Sequence, residues 1–358
     1  MRAPVGRLTA TSPVATGTTS TAYRLDGLIA TRTAGNGETA TLTYDPVKRP
    51  INVAYATGGS LWQSYDRTGV TTEGRTLTGI SANAGTGTQA FTYDALRRVT
   101  KATIPGTNTT CGQAGVACYG YDRNGNRTTK QVNATTTTTY HPTDEIETQT
   151  ISGVIKSFTY NLYGSQTTAF DAANAVTTSA YDTAERLLTV TPPTGGAATY
   201  TYDALGRINT RTIGASVDTY SYLGSTETAW QIANAGGSGI TTKSTLDATG
   251  ARTAVTGNAL TGYLGFDLHG NTVLAENGSK VITDALRYDA WGELIASTTF
   301  ADLGAVLSRL RYCWYDGIAL CCSHGWHEAK GHALLGRGGP ARGPRAGGPN
   351  GYPRLRGR

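Results

Sequence analysis

The sequence predicts an all-β protein made of tandem β-hairpins that form a curved or spiralling sheet. Three observations support this fold class: Thr, Gly and Tyr are abundant, a Tyr-Asp pair recurs at a fixed spacing, and Thr alternates with apolar residues before several of the pairs. Thr and Tyr favour the pleated, half-buried surface of a sheet, and Gly allows tight turns between strands.

The composition is low in charged residues, and the net charge is concentrated at the end of the chain. The 358 residues include 46 Gly, 20 Tyr and 1 Met, and 16% are charged, which is below the usual quarter. The net charge of +6 belongs to the end of the chain, because seven Lys/Arg and one Glu lie from His327 onward while the preceding part is neutral. We interpret this basic tail as disordered or aberrant, so no specific nucleic acid partner is expected.

The ends of the chain and its hydropathy bear on localisation. No stretch approaches 18 consecutive apolar residues, so no membrane span is expected. Residues 1–7 lack the apolar region of a signal peptide. Residues 1–20 are interpreted as a ragged start that opens inside a repeat, which suggests a fragment of a longer protein.

The Tyr-Asp pairs mark a repeat of 21 residues. Tyr44 and Tyr65 are 21 residues apart, as are Tyr181 and Tyr202, whereas the step from Tyr65 to Tyr93 is 28 residues and indicates a seven-residue insertion. The residues expected to carry the structural signature of the repeat are Tyr44, Asp45, Tyr65, Asp66, Tyr93, Asp94, Tyr121, Asp122, Gly125, Tyr181, Asp182, Tyr202, Asp203, Gly206, Arg207, Asp267, Gly270, Tyr288, Asp289 and Gly292.

Residues 199–212 show the unit most clearly. Tyr200 and Tyr202 alternate with Thr at the period of a strand, Asp203 and Gly206 suit the first and fourth positions of a type I turn, and Arg207 opens a second strand. An isolated hairpin is marginal in water, so successive hairpins are expected to pair edge to edge and bury a Tyr face. The Asp and Arg of successive turns are expected to pair along the surface.

Cys and His residues are the remaining candidates for a disulfide or a metal site. Cys111 and Cys118 flank a short loop, and either a disulfide in an oxidising compartment or two free thiols fits this spacing. The segment 321–332 contains Cys and His, but its adjacent Cys residues do not match the spacing of a structural zinc site. No nucleophile elbow, phosphate-binding loop or dinucleotide fingerprint occurs, so no metal, cofactor or enzyme activity is expected.

The repeat resembles the YD repeats of RHS proteins, teneurins and the C components of insecticidal toxin complexes, over roughly residues 20–316. The segment from Asp267 and Gly270 to Tyr288, Asp289 and Gly292 is similar to the start of the RHS-associated core. The resemblance implies a β-ribbon that spirals into a hollow RHS β-shell, which in bacterial members encloses a C-terminal toxin.

The resemblance implies a structural shell segment of a secreted or cell-surface polymorphic toxin. Its partners would be the remainder of a longer RHS protein and that protein's C-terminal toxin. The alternative is an adhesive YD-repeat module that binds carbohydrate or a target-cell surface through exposed aromatic residues. The resemblance makes neither of them an enzyme.

The chain departs from this family after Asp316, which is its last Asp. In residues 336–358, Gly, Pro and Arg make up 18 of 23 positions, which a frameshift in a GC-rich gene would produce. The expected organisation is a ragged start at 1–20, a YD-repeat array at 21–260, the start of the RHS-associated core at 261–316, and a divergent, disordered or frameshifted tail at 317–358.

Overall fold

The computed structural model of the chain describes residues 10–11, 17–57, 59–65, 70–77, 86–103, 108–132, 134–171, 175–237, 239, 241–246, 252–257, 260–268, 271–291 and 294–297. This described part contains strands and turns and no helix, which confirms the predicted all-β fold class. Within it, no helix is long and apolar enough to cross a membrane. The divergent tail lies outside the described residues.

The strands follow one another in chain order. They are β1 Ala10–Thr11, β2 Thr19–Tyr23, β3 Ile29–Thr33, β4 Thr39–Tyr44, β5 Pro50–Tyr55, β6 Ser60–Tyr65, β7 Val70–Thr76, β8 Thr86–Tyr93, β9 Val99–Thr103, β10 Val116–Tyr121, β11 Arg127–Val132, β12 Ala134–Tyr140, β13 Ile146–Ile151 and β14 Val154–Tyr160. They continue as β15 Gln166–Phe170, β16 Val176–Tyr181, β17 Leu187–Thr191, β18 Ala198–Tyr202, β19 Ile208–Ile213, β20 Ser216–Tyr222, β21 Ala229–Ala235, β22 Thr242–Leu246, β23 Arg252–Gly257, β24 Leu260–Phe266, β25 Thr272–Glu276, β26 Ile282–Tyr288 and β27 Leu294–Ser297.

Each described strand pairs antiparallel with the next, so the sheet is one continuous meander of hairpins. Nearly every even-numbered strand ends at a signature aromatic residue, and the turns that follow lie along one edge, named here the tyrosine edge. The odd-numbered strands end at the opposite edge. Among the described strands, no ladder pairs the first strand with the last.

A β-bulge marks the end of most even-numbered strands. Thr201 pairs with Thr210, but its neighbour Tyr202 pairs with Ile208, so one residue of the partner strand is left over. The same shift recurs at Tyr44, Tyr121, Tyr160, Tyr181 and Tyr288, among others. A bulge increases the local twist of a strand pair, so its repetition at one edge favours curvature of the ribbon.

Alternation along the strands explains the abundance of Thr. In β18, Tyr200 is 3% exposed while the flanking Thr199 and Thr201 are exposed. The hydroxyl oxygens of Thr201 and Thr210 on the neighbouring strand lie 2.7 Å apart. Tyr therefore faces the core and Thr forms cross-strand pairs on the outer face, at the strand period of two.

The sheet curls back on itself, which confirms the predicted curved sheet. Residues 29–132, named the N-terminal wall, lie against residues 260–291, named the C-terminal wall, and their contact is named the seam. Apolar residues fill it in two clusters, which include Val53, Tyr55, Leu77, Val273, Leu274 and Ala285 in one and Phe91, Ala102, Tyr119, Tyr121 and Trp291 in the other.

Candidate functional site

The signature residues build a corner at the tyrosine edge. At the Tyr202 corner, the backbone N–H of Gly206 donates to the carbonyl of Asp203 at 3.0 Å and closes the turn. Gly206 has a φ of +80°, the left-handed conformation that a hairpin bulge requires. The Oδ1 atom of Asp203 accepts hydrogen bonds from the backbone N–H groups of Leu205 and Arg207, each at 2.9 Å.

The second carboxylate oxygen binds an arginine of the same turn. Asp203 Oδ2 accepts from Nε of Arg207 at 2.8 Å. The pairs Asp45–Arg49, Asp94–Arg98 and Asp182–Arg186 repeat this contact at 2.6–2.7 Å. A hydrogen bond from the backbone N–H of Arg186 is the main cause that lowers the pKa of Asp182. Asp and Arg therefore pair within a turn, which corrects the expectation that they pair between successive turns.

At most described corners, the tyrosine that ends the strand bonds to the preceding corner. The hydroxyl of Tyr202 donates to the carbonyl of Leu187, the first residue of β17, at 2.7 Å. The equivalent bonds span 2.7–3.0 Å and join Tyr44 to Ile29, Tyr121 to Val99, Tyr140 to Arg127, Tyr160 to Ile146, Tyr181 to Gln166, Tyr222 to Ile208 and Tyr288 to Thr272. Burial raises the pKa of Tyr181 to about 12, so its hydroxyl stays a neutral donor.

The turn arginine extends this contact to the following corner. The guanidinium carbon of Arg207 lies 4.2 Å from the centre of the Tyr222 ring, and its NH1 donates to the carbonyls of Gly224 and Thr226 at 2.8 Å. Arg98 contacts the ring of Tyr121 in the same way at 4.6 Å. Hydroxyl ties and guanidinium stacking together connect neighbouring corners into a row.

Several signature aspartates have a partner other than a turn arginine. Asp267 Oδ2 accepts from the amide of Asn271 at 2.9 Å. Asp289, whose side chain is 1% exposed, lies at the seam, where the ammonium of Lys130 is 3.6 Å from its Oδ2 atom. The hydroxyl of Tyr119 donates to the same oxygen at 3.4 Å. Asp289 therefore joins the two walls in addition to shaping its own turn.

The remaining signature residues differ in what the structure describes. Gly125 follows Asp122 in a turn and has a φ of +98°. Tyr93 ends β8 and packs on the second seam cluster. Tyr65 ends β6, but its side chain is outside the described residues, as are Asp66, Gly270 and Gly292.

Substitution of the turn glycine tests the corner geometry. We expect Gly206→Val to lower the free energy of unfolding by about 1–3 kcal/mol, because a β-branched residue resists positive φ. No described atom lies within 4 Å of a Cβ built at Gly206, so the cost would come from the backbone and not from a clash. Urea denaturation measures it, and Gly206→Asn is the control that should cost less. Equal stability of both variants would contradict the assignment.

The walls exchange hydrogen bonds between side chains and backbone. The hydroxyl of Tyr55 donates to the carbonyl of Phe266 at 2.9 Å and accepts from its N–H at 2.6 Å. The amide of Gln89 donates to the carbonyl of Tyr288 at 3.2 Å. These bonds hold the C-terminal wall at a fixed position over the N-terminal wall.

Two buried arginines cross the seam in opposite directions. Arg75 donates to the carbonyl of Leu286, and Arg287 donates to the carbonyl of Thr86 at 3.2 Å. Burial lowers the pKa of Arg75 to about 9, with a further decrease from Arg287, and lowers the pKa of Arg287 to about 10. Both groups remain cationic near neutral pH.

Two carboxylates meet where the turns of the two walls touch. Thr57 donates to both of them, from its N–H to Glu38 at 3.1 Å and from its hydroxyl to Glu276 at 3.3 Å. The amide of Asn36 donates to Glu276 at 3.4 Å, and the ammonium of Lys280 donates to the carbonyl of Gly37 at 3.0 Å. Burial, assisted by Glu38, raises the pKa of Glu276 from 4.5 to about 7.

The raised pKa of Glu276 predicts that the seam is most stable in acid. The folded state holds this proton more tightly than the unfolded state, so the free energy of unfolding should fall as the pH rises from 4.5 through about 7. We expect a loss of about 1–3 kcal/mol, since solvent and the Lys280 ammonium screen part of the effect. Urea midpoints at about pH 5 and about pH 8 measure it. If the free energy of unfolding of Glu276→Gln shows the same dependence on pH, the effect does not come from Glu276.

The cysteine pair lies at β10, within the N-terminal wall. Cys111 lies in the loop before β10 and Cys118 lies within it, and the structure joins them by a disulfide with the Cα atoms 5.7 Å apart. The bond closes the insertion loop onto its own strand. Cys313, Cys321 and Cys322 lie outside the described residues, as does the 321–332 segment.

At three tyrosine corners, neither Asp nor Asn follows the tyrosine. Tyr23, Tyr140 and Tyr222 end β2, β12 and β20 at a bulge, and Arg, His or Leu follows them in place of Asp. The spacing of Tyr140 and Tyr222 from neighbouring signature tyrosines would have identified two of them. Among the described residues, no group of three or more His, Cys, Asp or Glu side chains could hold a metal ion.

Comparisons with known proteins agree with this architecture. The family model of the RHS Repeat matches residues 181–216, which include the Asp182 and Asp203 corners. The crystal structure of TcdB2-TccC3-Cdc42 is similar at a TM-score of 0.56 and 15% identity, over 82% of this chain and 16% of that chain. The crystal structure of TcdB2-TccC3 is similar at a TM-score of 0.54 and 14% identity, over 83% of this chain and 18% of that one.

At these identities the likeness to the solved structures shows the fold alone. The chain spans less than a fifth of the length of those two solved chains. Among curated proteins, none matches the chain. The chain therefore shares its fold with those structures, and the family match falls within the row of corners.

Proposed function

We propose that this chain, in which residues 181–216 match the RHS Repeat, is a wall segment of a shell in a secreted or cell-surface polymorphic toxin. In this proposal, the complete protein encloses a C-terminal toxin. The observation that carries it is the row of tyrosine ties, in which most described corners bond to the preceding one. Such a row makes a continuous curved wall, and the seam shows how far the wall curls.

A row of exposed apolar side chains supports contact with further parts of a shell. They lie at the turns of the tyrosine edge, each more than half exposed: Leu25, Val47, Leu96, Leu162, Tyr163, Leu205 and Leu223. Exposed apolar side chains that recur along one edge are consistent with an interaction site. In a longer RHS protein, neighbouring wall segments would cover this edge.

Protease protection tests the proposal on the longest protein that the locus encodes. If that protein is a shell, its C-terminal segment should resist protease until the shell is unfolded, and electron microscopy should show a hollow particle. Lys130→Met, which removes a cation from the seam, should make the segment sensitive. Cleavage of the segment at the same rate in the native and unfolded protein would reject the proposal.

A further inference from the structure

The structure contains a cavity at the seam. Its volume is about 390 Å³, and it lies between strands β2–β5 and strands β23–β25. Leu42, Val53 and Leu274 contribute apolar surface to its wall, and Tyr44 and Tyr55 contribute aromatic rings. The volume and this lining fall within the range of sites for small molecules.

Two buried carboxylates line one part of this cavity. Glu38 is 4% exposed and Glu276 is 1% exposed. One oxygen of Glu38 accepts from the N–H of Thr57, but its Oε2 atom has no hydrogen-bond partner among the described residues. Glu276 accepts two long bonds, at 3.3 and 3.4 Å. A buried carboxylate oxygen without a donor is costly, so this pair would gain from an added donor.

The charges that line the cavity favour a cation. Three carboxylates, of Glu38, Asp267 and Glu276, line it together with one guanidinium, of Arg32. The ammonium of Lys280 is not part of this lining and donates to the carbonyl of Gly37. The described lining therefore carries an excess of acidic groups beside an apolar wall.

We propose that this cavity binds a primary ammonium group on a short aliphatic chain, with the ammonium against Glu38 and Glu276 and the chain against Leu42. An ammonium has three N–H donors, which match the carboxylate oxygens of the pair. Ca²⁺ would require six to eight oxygen ligands, more than two carboxylates supply. This inference goes beyond the proposed shell function and does not depend on it.

Isothermal titration calorimetry of the full chain with n-butylammonium tests the proposal. We expect saturable binding, about tenfold or more tighter than that of n-butanol, which has the same hydrocarbon chain without charge. Glu38→Gln should weaken butylammonium binding by about tenfold or more and leave n-butanol binding unchanged. Glu147→Gln, an exposed residue of β13 outside the cavity lining, is the matched control and should bind as the parent does.

The variants are chosen to keep the fold. Glu38→Gln retains an acceptor for the Thr57 N–H and removes like charge beside Glu276. If circular dichroism shows that Glu38→Gln is misfolded, Glu276→Gln provides a second test of the carboxylate pair. Butylammonium that binds no tighter than n-butanol, or equally to the parent and both Gln variants, would overturn the proposal. With binding established, Nα-acetyl-lysine amide distinguishes the source, since it binds only if the cavity accepts a lysine side chain.

Discussion

Replacing Tyr200 with Ala is expected to lower the free energy of unfolding by about 3–5 kcal/mol. Tyr200 is 3% exposed and lies in a cluster with Leu187, Val190 and Ile208. Truncation removes the buried ring and leaves a cavity that the paired strands cannot easily close. The expected effect is large because the ring faces the core of the sheet and not its edge.

Tyr202→Phe separates this packing from the hydroxyl tie. The Tyr202 ring is only partly buried at the corner, and Phe keeps it while removing the bond to the Leu187 carbonyl. We expect a loss of about 1 kcal/mol. Urea denaturation of the Tyr200→Ala and Tyr202→Phe variants measures the contributions of the buried ring and of the hydroxyl bond separately. A cost near zero for Tyr200→Ala, or equal costs for the two variants, would show that the tyrosine face is not the core.

Lys130→Met is expected to lower the free energy of unfolding by about 3–5 kcal/mol. The substitution keeps much of the side-chain volume but removes the ammonium that lies 3.6 Å from the Oδ2 atom of Asp289, whose side chain is 1% exposed. Removing one partner of a buried ion pair is far more costly than removing one partner of an exposed pair. The walls should therefore separate at lower denaturant.

The double substitution Lys130→Met with Asp289→Asn gives the internal check. It removes both charges and retains an oxygen that can accept from the Trp291 N–H, so part of the lost stability should return. Arg186→Met, which removes the exposed partner of Asp182, is the matched control and should change stability little. Additive effects of the two seam substitutions would show that Lys130 and Asp289 are not coupled.

The hairpins could be predicted from the sequence because the residues that determine each turn and each strand lie within the repeat itself. Asp203 and Gly206 specify the turn, and the alternation of Tyr200 and Tyr202 with Thr specifies the strand. The bulge at the signature tyrosine was harder to predict from the sequence, because it depends on how the strand pairs with the next one. Lys48 and Glu185 adopt the left-handed conformation without being Gly, so the turn persists where the motif is incomplete.

The seam could not be predicted because its residues have no periodic pattern and their partners are remote. Tyr55 and Phe266 are 211 residues apart, and Asn36 and Glu276 are 240 apart. Glu38 and Glu276 resemble ordinary strand residues in the sequence. Four residues after Asp289 the sequence has Glu293, whereas Arg occupies this position after Asp203. This difference indicates that Asp289 lacks a turn arginine, but it does not indicate that Lys130 lies beside it.

The tyrosine tie also has an evolutionary consequence. Because the hydroxyl ties between β12 and β21 run to the preceding hairpin, a duplicated hairpin in this part would meet the same tyrosine ties on both sides. A deleted hairpin would remove ties to its neighbours and not to a remote strand. The same change within the seam would misalign every contact between the walls. Recombination should therefore alter the number of units in the middle of the ribbon and conserve it near the ends.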